Sequence, residues 1–404
     1  MAKHPRDLSI HDFTYALPNE RIAQQPLAVR DGSKLLVYRN GTISDGIFCE
    51  LPEQLPSNAL LVLNRTKVVN ARILFQRETG ARIEVLCLSP VNGPVEQAIN
   101  AKGSGEWNCF IGNAKRWKAG EVLTTNISGT VLHAERSGQE RILFTWEPAD
   151  LSFAQVLERI GHVPLPPYMQ RVDSDADKER YNTVFAKQEG SVAAPTASLH
   201  FSNDLLNRLE QNGTKTTELV LHVGAGTFLP VKSERMADHN MHTEEIHIPL
   251  EALEVLHAQL GQGPVIPVGT TALRTLESVY WHGVKLLAGV AGNEIDIDQW
   301  EPYGHGANEL PSSKKAIEAV IEHVRSMDDG ILRGRTGLLI APGYTFRFAN
   351  GLITNFHQPN STLLLLVAAF VGKDWRRIYE HALANEYRFL SYGDGSLLLP
   401  KEGS

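Results

Sequence analysis

The chain has 404 residues, of which 42% are hydrophobic and 21% are charged, and its formal net charge is −7. This composition excludes a wholly disordered chain, because it supplies enough apolar side chains to build a core. The length predicts roughly two to three domains. The negative net charge argues against a general nucleic-acid binder, because such proteins usually carry a basic surface.

The charged side chains are unevenly distributed along the chain. Residues 291–330 hold nine acidic and three basic side chains, whereas residues 61–120 hold nine basic and four acidic ones. The net charge therefore conceals an acidic stretch and a basic stretch. The basic stretch is a candidate surface for a polyanion.

Neither the cysteines nor the apolar runs indicate secretion or a membrane. Cys49, Cys87 and Cys109 are too few and too scattered for a disulfide framework or a zinc ligand set. The longest purely apolar run, residues 363–371, is far shorter than the roughly 20 residues of a membrane span, so it predicts a buried helix or strand. No apolar signal region opens the chain. We expect a cytoplasmic protein with no membrane partner.

The first 70 residues and the next 80 differ in their pattern of apolar and polar residues. Residues 34–38 and 59–63 are short apolar runs that predict buried strands. From residue 71 to 149, short alternating stretches recur between turn residues, with no convincing helix pattern. Those stretches are residues 82–88, 108–111, 129–133 and 141–146. They predict a small all-β barrel or sandwich.

After Pro148 the pattern returns to mixed α/β. Helical periodicity is predicted for residues 152–160, 201–209 and 271–281, and buried strands for residues 217–222 and 265–268. The sequence therefore predicts a large α/β domain, formed by residues 1–70 and 150–404, that is interrupted by a β module at residues 71–149.

Seven segments carry polar or small residues with little periodicity. They are residues 161–168, 192–201, 221–228, 238–244, 269–277, 354–362 and 387–394. His200 is a candidate base, and Gly224-Ala-Gly226 after a strand is weak evidence for a nucleotide-binding turn. Each segment could also be structural: a linker, a satisfied histidine, or a local pair of Arg274 with Glu277. Ser361 or Asn360 could simply cap the following helix.

The histidines at residues 238–244 do not have the spacing of a known metal motif. His239, His242 and Glu244 lack the His-Glu-x-x-His pattern, and no second cluster accompanies them. A hydrogen-bonded acid–imidazole site or a solvated loop is favoured there. We therefore expect no metal.

Taken together and in order, these segments resemble the S-adenosylmethionine:tRNA ribosyltransferase-isomerase family of queuosine biosynthesis. The resemblance rests on residues 22–26, Arg30-Asp31, 64–72, 161–168, 193–201, 221–228, 238–244, 269–277, 354–357 and 387–394. It implies a large mixed α/β, barrel-like domain with a small inserted all-β barrel. It also implies S-adenosylmethionine as a ribosyl donor, with no metal. We expect a monomer.

The family resemblance implies an unusual reaction. The ribosyl part of S-adenosylmethionine is transferred to the aminomethyl group of a 7-deazaguanine base at the tRNA wobble position. The ribose isomerises to an epoxy-cyclopentanediol, adenine and methionine leave, and epoxyqueuosine-tRNA is the product. The acceptor amine must be neutral to attack, a base must remove a proton beside the sulfonium, and adenine leaves more easily when protonated.

These demands suggest roles for particular residues. The candidate catalytic residues are His200, His222, Asp238, His242, Glu244, Arg274 and His357. The histidines are candidate acids or bases, the carboxylates could orient an imidazole or face the sulfonium, and Arg274 could clamp the methionine carboxylate. The candidate cofactor-binding residues are Gly224, Ala225, Gly226, Thr227, Thr270, Thr271, Asn355, Tyr392 and Asp394. The candidate tRNA-binding residues are Arg65, Lys67, Arg72, Lys115, Arg116, Lys118 and Arg388.

The sequence departs from the family pattern in places. Lys67 and Asn70 stand where the family commonly has Arg and Pro, and Ser198 stands where it commonly has Gly. The chain is longer than usual by roughly 30 residues in an acidic insertion near residues 285–335. A divergent paralogue that binds RNA or a nucleoside without this chemistry is therefore the alternative. A plain methyltransferase is a weaker one, because the usual Gly-rich loop is not apparent.

Overall fold

A computed structural model describes residues 4–77, 79–118, 120–224, 231, 233–304 and 310–400. The strands in these ranges are β1 (Lys34–Arg39), β2 (Thr42–Ile47), β3 (Leu60–Asn64), β4 (Thr66–Val68), β5 (Arg72–Gln76), β6 (Arg82–Pro90), β7 (Ser104–Gly112), β8 (Leu123–Ile127), β9 (Thr130–Arg136), β10 (Arg141–Glu147), β11 (Gln188–Ser191), β12 (Lys215–His222), β13 (Glu244–Pro249), β14 (Val265–Pro267), β15 (Ile295–Ile297), β16 (Ile331–Thr336), β17 (Leu352–Asn355) and β18 (Gly395–Leu399). The α-helices are α1 (Leu51–Gln54), α2 (Val95–Ile99), α3 (Phe153–Ile160), α4 (Asp175–Arg180), α5 (Asn203–Gln211), α6 (Leu250–Gln259), α7 (Thr270–Leu287), α8 (Ser313–Arg325), α9 (Thr362–Val371) and α10 (Trp375–Ala384).

The large domain is built on a six-stranded mixed sheet in the order β14-β3-β12-β13-β16-β15. Strands β14, β3 and β12 are parallel, whereas β13 is antiparallel to both of its neighbours. A parallel bridge between Val268 and Ile353 connects this sheet to the four-stranded sheet β17-β18-β1-β2. Strand β3 is buried at every position because both of its faces are covered, whereas β12 begins with exposed polar residues and is buried over its last four positions.

Residues 72–147 form a nearly closed antiparallel barrel. Its strand order is β5-β6-β7-β10-β9-β8, and the two edge strands β5 and β8 lie against each other. Strand β10 alternates strictly between exposed and buried positions, as a strand with one buried face requires. The predicted fold class, mixed α/β with a small β-barrel, is confirmed.

Helix α3 completes the barrel core. Ser152 caps it, and Phe153 packs against the rings of Trp107, Phe144 and Trp146. The helix was predicted from its periodicity, but its packing on the barrel follows only from the tertiary structure. The division of the chain at residues 70 and 149 remains a proposal.

Two local features differ from the expectations. A short helix, α2, lies within the barrel segment, where no helix was expected. Helix α7 runs from Thr270 to Leu287 and thus extends beyond the predicted residue 281, because Val284 continues its buried face.

The acidic stretch at residues 291–330 contributes β15 and α8, which pack against α7. Its carboxylates meet basic side chains that flank the stretch. The pairs are Asp296 with Arg335 at 3.0 Å, Glu301 with Lys285 at 3.1 Å, and Asp329 with Arg333 at 2.5 Å. The stretch is therefore partly neutralised locally. Across the described ranges, no helix has the length and apolar character needed to cross a membrane.

Candidate active site

One cleft in the large domain gathers six of the seven polar segments, all except residues 238–244. The cleft holds about 760 Å³ of empty space, which includes open solvent at its mouth. Its lining residues are Tyr168, Tyr181, Ala193, Ala194, Pro195, Thr196, Ala197, Val223, Gly269, Thr270, Thr271, Thr354, Asn355, His357, Gln358, Ser361, Leu363, Leu390 and Ser391. We call this the main cleft.

The main cleft forms where strands end. Gly269 follows β14, and its backbone N–H donates to Ile353 O at 2.7 Å, which sets the start of α7 against β17. Gly269 has a φ of +93°, a conformation that favours glycine. On the opposite side, the Ser361 hydroxyl caps α9 by accepting from Leu364 N–H at 3.2 Å, which confirms one of the two predicted caps.

The described lining of the main cleft contains no Asp, Glu, Lys or Arg. Its polarity comes from hydroxyls, amides, one imidazole and the N-terminus of α7. The first-turn N–H groups of an 18-residue helix favour an anionic group nearby. The described lining therefore offers hydrogen bonds to a ligand, together with a helix N-terminus that favours a carboxylate.

Asn355, at the end of β17, lies in the wall of the main cleft and is held on three sides. Its Oδ1 accepts from Thr196 Oγ1 at 2.8 Å, and its Nδ2 donates to His200 Nε2 at 3.2 Å and to Asp394 O at 3.5 Å. A side chain held in this way presents its amide in one orientation. The predicted cofactor-binding residues Asn355, Thr270 and Thr271 all line the cleft.

His200, a predicted base, lies behind the cleft rather than in it. Its Nδ1 bonds Ser33 Oγ at 2.8 Å, its Nε2 accepts from Asn355, and its ring stacks on Phe48 at 4.7 Å. Burial, together with the charges of Arg388 and Arg30, lowers the pKa of His200 to about 3. This neutral, fully bonded imidazole is placed to position Asn355, and its catalytic role stays a prediction.

His357 is the candidate histidine that lines the main cleft. Its Nε2 bonds Thr354 Oγ1 at 2.9 Å, and its backbone N–H donates to Tyr379 Oη at 3.0 Å. Burial lowers the pKa of His357 to about 3, so the ring is neutral at physiological pH. A neutral imidazole can accept a proton when a ligand stabilises the imidazolium.

Tyr168 and Ser391 also line the cleft and were not among the predicted site residues. The Tyr168 hydroxyl and Ser391 Oγ lie 2.5 Å apart, and burial raises the pKa of Tyr168 to about 12. Both residues belong to segments that were singled out in the sequence. Their pairing across the fold had no sequence signal.

Glu244, Arg274 and His242 meet in a second buried cluster. Arg274 Nη1 donates to Glu244 Oε2 at 2.6 Å, and His242 Nε2 lies 3.6 Å from Glu244 Oε1. Burial alone would raise the pKa of Glu244, but Arg274 and His242 lower it. Arg274 is therefore matched by an internal carboxylate, and Glu277 takes backbone N–H groups of residues 347–349 instead of pairing with Arg274.

The Glu244 carboxylate also reaches the edge of the main cleft. Gly224 N–H donates to Glu244 Oε1 at 3.4 Å, and the preceding Val223 is part of the cleft wall. Ala225, Gly226 and Thr227 fall outside the described residues, so their predicted contacts remain predictions.

His222 and Asp238 are separated from the main cleft. The His222 ring is buried beside β13, where Thr66 Oγ1 bonds its Nδ1 at 2.9 Å, and burial near His247 lowers the pKa of His222 to about 4. Asp238 is exposed in a different groove that shares no lining residue with the main cleft. The structure does not bring these two candidates together with His357.

Tyr392, Asp394 and Arg388 support the loop that carries Ser391. Tyr392 Oη donates to Asp177 Oδ1 at 2.8 Å. Asp394 accepts from the backbone N–H groups of Lys34 and Arg388 and from Arg388 Nη2. Neither Tyr392 nor Asp394 lines the main cleft, so direct ligand contact by them stays a prediction.

The predicted tRNA-binding residues divide into paired and unpaired groups. Arg65, Lys67 and Arg72 form ion pairs with Glu218, Glu189 and Glu84, respectively. Lys115, Arg116 and Lys118 are exposed around a turn that follows β7, and they form no ion pair within the described ranges. We call these three residues the basic face of the barrel.

The fold and the main cleft define a mixed α/β protein with an inserted β-barrel and a polar cleft that can hold a small ligand. Residues 10–398 match the family model described as queuosine biosynthesis protein. The chain therefore belongs to this family, that of the S-adenosylmethionine:tRNA ribosyltransferase-isomerases.

Several relatives carry that enzyme name. The chain is 40% identical to one from Azoarcus sp. (strain BH72), over 97% of both chains, and 38% identical to one from Desulfitobacterium hafniense, over 97% of this chain and all of the relative. A solved structure of an S-adenosylmethionine tRNA ribosyltransferase from Thermotoga maritima is 26% identical, with a TM-score of 0.46, over 96% of this chain and all of that one.

Proposed function

We propose that this protein transfers the ribosyl part of S-adenosylmethionine to a 7-aminomethyl-7-deazaguanine base at the wobble position of tRNA. The ribose isomerises during transfer, adenine and methionine are released, and epoxyqueuosine-tRNA is formed. The convergence of six distant segments on one cleft carries this proposal, because these segments also carry the family resemblance.

The uncharged lining suits the acceptor amine. An ammonium group loses its hydration in such a site, so desolvation favours the neutral amine that has the lone pair for attack. The described lining offers no carboxylate to stabilise the ammonium form. The cleft thus assists the nucleophile without a strongly basic side chain.

The N-terminus of α7 suits the methionine carboxylate of the donor. Thr270 and Thr271 begin the helix, and both line the cleft. Free first-turn N–H groups and threonine hydroxyls can hold a carboxylate there. In this arrangement the charge of Arg274 remains with Glu244 and is not needed as the carboxylate clamp.

Asn355 can contact a nucleobase in the cleft, and His357 can take part in proton transfer. The fixed amide of Asn355 can accept from a purine edge through the second lone pair of its Oδ1, as readout of an unstacked base requires. His357 is the described lining side chain best suited to accept a proton. The wobble base must leave its stack to enter an enclosed cleft.

An adenine-release assay tests the proposed function. Purified protein is incubated with S-adenosylmethionine and with tRNA that carries the aminomethyl-deazaguanine base, and the released adenine and methionine are quantified. We expect the two products in equal amounts. tRNA that carries an ordinary guanine at the wobble position is the control. Binding of tRNA without adenine release would favour the divergent paralogue, and S-adenosylhomocysteine would indicate a methyltransferase.

A further inference from the structure

A second group of chemistry-bearing side chains lies between the barrel and the large domain. Glu96 is on α2, His222 ends β12, and His247 is on β13. One ligand atom from each lies within 4.8 Å of the others, and this trio is the one such group found among the described residues. Both histidines are buried, whereas the Glu96 side chain is 39% exposed.

Each imidazole is oriented by a partner on one nitrogen. His222 Nδ1 bonds Thr66 Oγ1 at 2.9 Å, and His247 Nε2 bonds Glu245 Oε1 at 2.9 Å. If those nitrogens carry the protons, His222 Nε2 and His247 Nδ1 keep their lone pairs. Metal-ligating histidines typically show this pattern, with the second nitrogen donating to a carboxylate or other acceptor.

One of the two remaining nitrogens is unsatisfied. His222 Nε2 is buried and has no hydrogen-bond partner among the described residues. A buried polar atom without a partner keeps the full cost of its lost hydration, which a bound ion would offset at this nitrogen. Gly190 packs directly against this ring: a Cβ at that position would lie only 2.8 Å from His222 Cε1.

The spacing of the other two ligands already fits an ion. Glu96 Oε1 and His247 Nδ1 lie 3.5 Å apart, close to the roughly 3.4 Å between ligand atoms in a tetrahedral zinc site with bonds of 2.0–2.1 Å. The Gln188 amide now bridges these two residues, donating to His247 Nδ1 at 2.9 Å and to Glu96. The Gln188 amide nitrogen therefore lies between Glu96 and His247, where a bound cation would take the place of its two N–H groups.

We propose that Glu96, His222 and His247 bind one divalent transition-metal ion of the zinc class. Two imidazoles and a carboxylate form a donor set that suits Zn²⁺ or Co²⁺ rather than Mg²⁺ or Ca²⁺. The ion would connect α2 of the barrel module to β12 and β13. Its ligand His222 directly precedes Val223, which is part of the wall of the main cleft. Its role is that of a clip between the modules, and it takes no part in ribosyl transfer.

Metal titration tests the site without tRNA or S-adenosylmethionine, so its outcome is independent of the proposed function. The protein is stripped with a chelator, dialysed and titrated with Co²⁺, whose visible absorption reports a low-coordinate site, and then with competing Zn²⁺. We expect one ion per chain and a rise of a few degrees in Tm at saturating Zn²⁺.

Variants locate the ion. Glu96→Gln and His247→Ala should each weaken Co²⁺ affinity at least about tenfold, and Glu245→Gln should weaken it by a similar factor through His247. His133→Ala, on the barrel strand β9, is the matched control and should leave it unchanged. Glu96 is partly exposed and glutamine has the same shape, so we expect Glu96→Gln to fold. If His247→Ala does not fold, the Co²⁺ affinity of Glu96→Gln decides whether the ion binds at this site.

Two results would overturn the proposal. One is the absence of saturable binding of one Co²⁺ per chain at concentrations up to about 100 μM. A dissociation constant above that value is far weaker than those of protein transition-metal sites. The other is binding that Glu96→Gln and His247→Ala leave as tight as in the unaltered protein.

Discussion

The main cleft and the basic face of the barrel contain opposite kinds of side chain. The described cleft lining is uncharged, and the few charges behind it are paired inside the protein, as for Glu244 with Arg274. The basic face has three exposed cations around one turn. Buried charges interact strongly because they are poorly screened, whereas exposed charges are largely screened beyond about 8–10 Å. We therefore expect the cleft and its support to determine stability and catalysis, and the basic face to affect association with tRNA.

The largest effect is expected from the charge pair behind the cleft. Arg274→Ala leaves Glu244 buried without its main counter-charge, so unfolding by urea should show a loss of about 3–5 kcal/mol. Arg335→Ala is the matched control, because its pair with Asp296 is exposed and should cost less than about 1 kcal/mol. Equal losses in the two variants would remove the distinction between buried and exposed charges.

The next effect concerns the cleft wall. Asn355→Ala removes a fixed amide from the proposed base-binding surface, and kcat/KM for adenine release should fall at least about a hundredfold, or roughly 2.7 kcal/mol. Asn385→Ala, at the exposed C-terminal end of α10, should retain activity. Thermal melts separate catalysis from stability, and activity that falls only as far as the folded fraction does would contradict a direct role.

A smaller effect should appear as a pH dependence of stability. The pKa of His200 is about 3 in the folded protein, below the value of about 6.5 expected when unfolded. The unfolded chain therefore binds a proton that the folded protein does not, and acid favours unfolding. This histidine should make the free energy of unfolding about 2 kcal/mol lower at pH 5 than at pH 8.

The His200→Gln variant measures that contribution. Its urea-unfolding free energy should change less between pH 8 and pH 5 than that of the unaltered protein, by about the same 2 kcal/mol. The two side chains that hydrogen-bond the His200 ring, Ser33 and Asn355, have no group that titrates over this range. An identical pH dependence in the two proteins would show that His200 is not kept neutral by the fold.

The smallest effect is expected on the basic face. Replacing Lys115, Arg116 and Lys118 with Gln should weaken tRNA binding about tenfold at moderate salt and make the affinity less salt-dependent. Lys314→Gln with Lys315→Gln, on the exposed side of α8, is the control and should change little. Fluorescence binding at several salt concentrations measures both. An affinity that is indifferent to salt would exclude this surface.

The sequence predicted more of the elements than of their contacts. The alternation at residues 141–146 and the period of residues 152–160 identified strand β10 and helix α3, because local patterning records which face is buried. Helix α2 escaped notice because five residues after a proline are too few to show a period. That short helix carries Glu96, so the proposed metal site had no local signal.

The candidate site shows the same division. Composition and motif order marked His357, Asn355 and Thr271 as site residues, and all three line the main cleft. His200 and Arg274 lie in similar motifs, yet the structure pairs them with Asn355 and Glu244 instead of exposing them to a ligand. A sequence records which polar residues are present, but burial and partner choice depend on neighbours distant along the chain.

By itself, therefore, the sequence determined the mixed α/β architecture with its β-barrel, the family and the segments that form the site, because periodicity and motif order are properties of the chain. The tertiary structure alone decided which of those residues face the cleft and which charges neutralise one another. It also decided that the buried His222 Nε2 has no hydrogen-bond partner among the described residues. The physical reason is that desolvation and hydrogen bonding act between atoms within a few ångströms, and only the folded chain brings those atoms together.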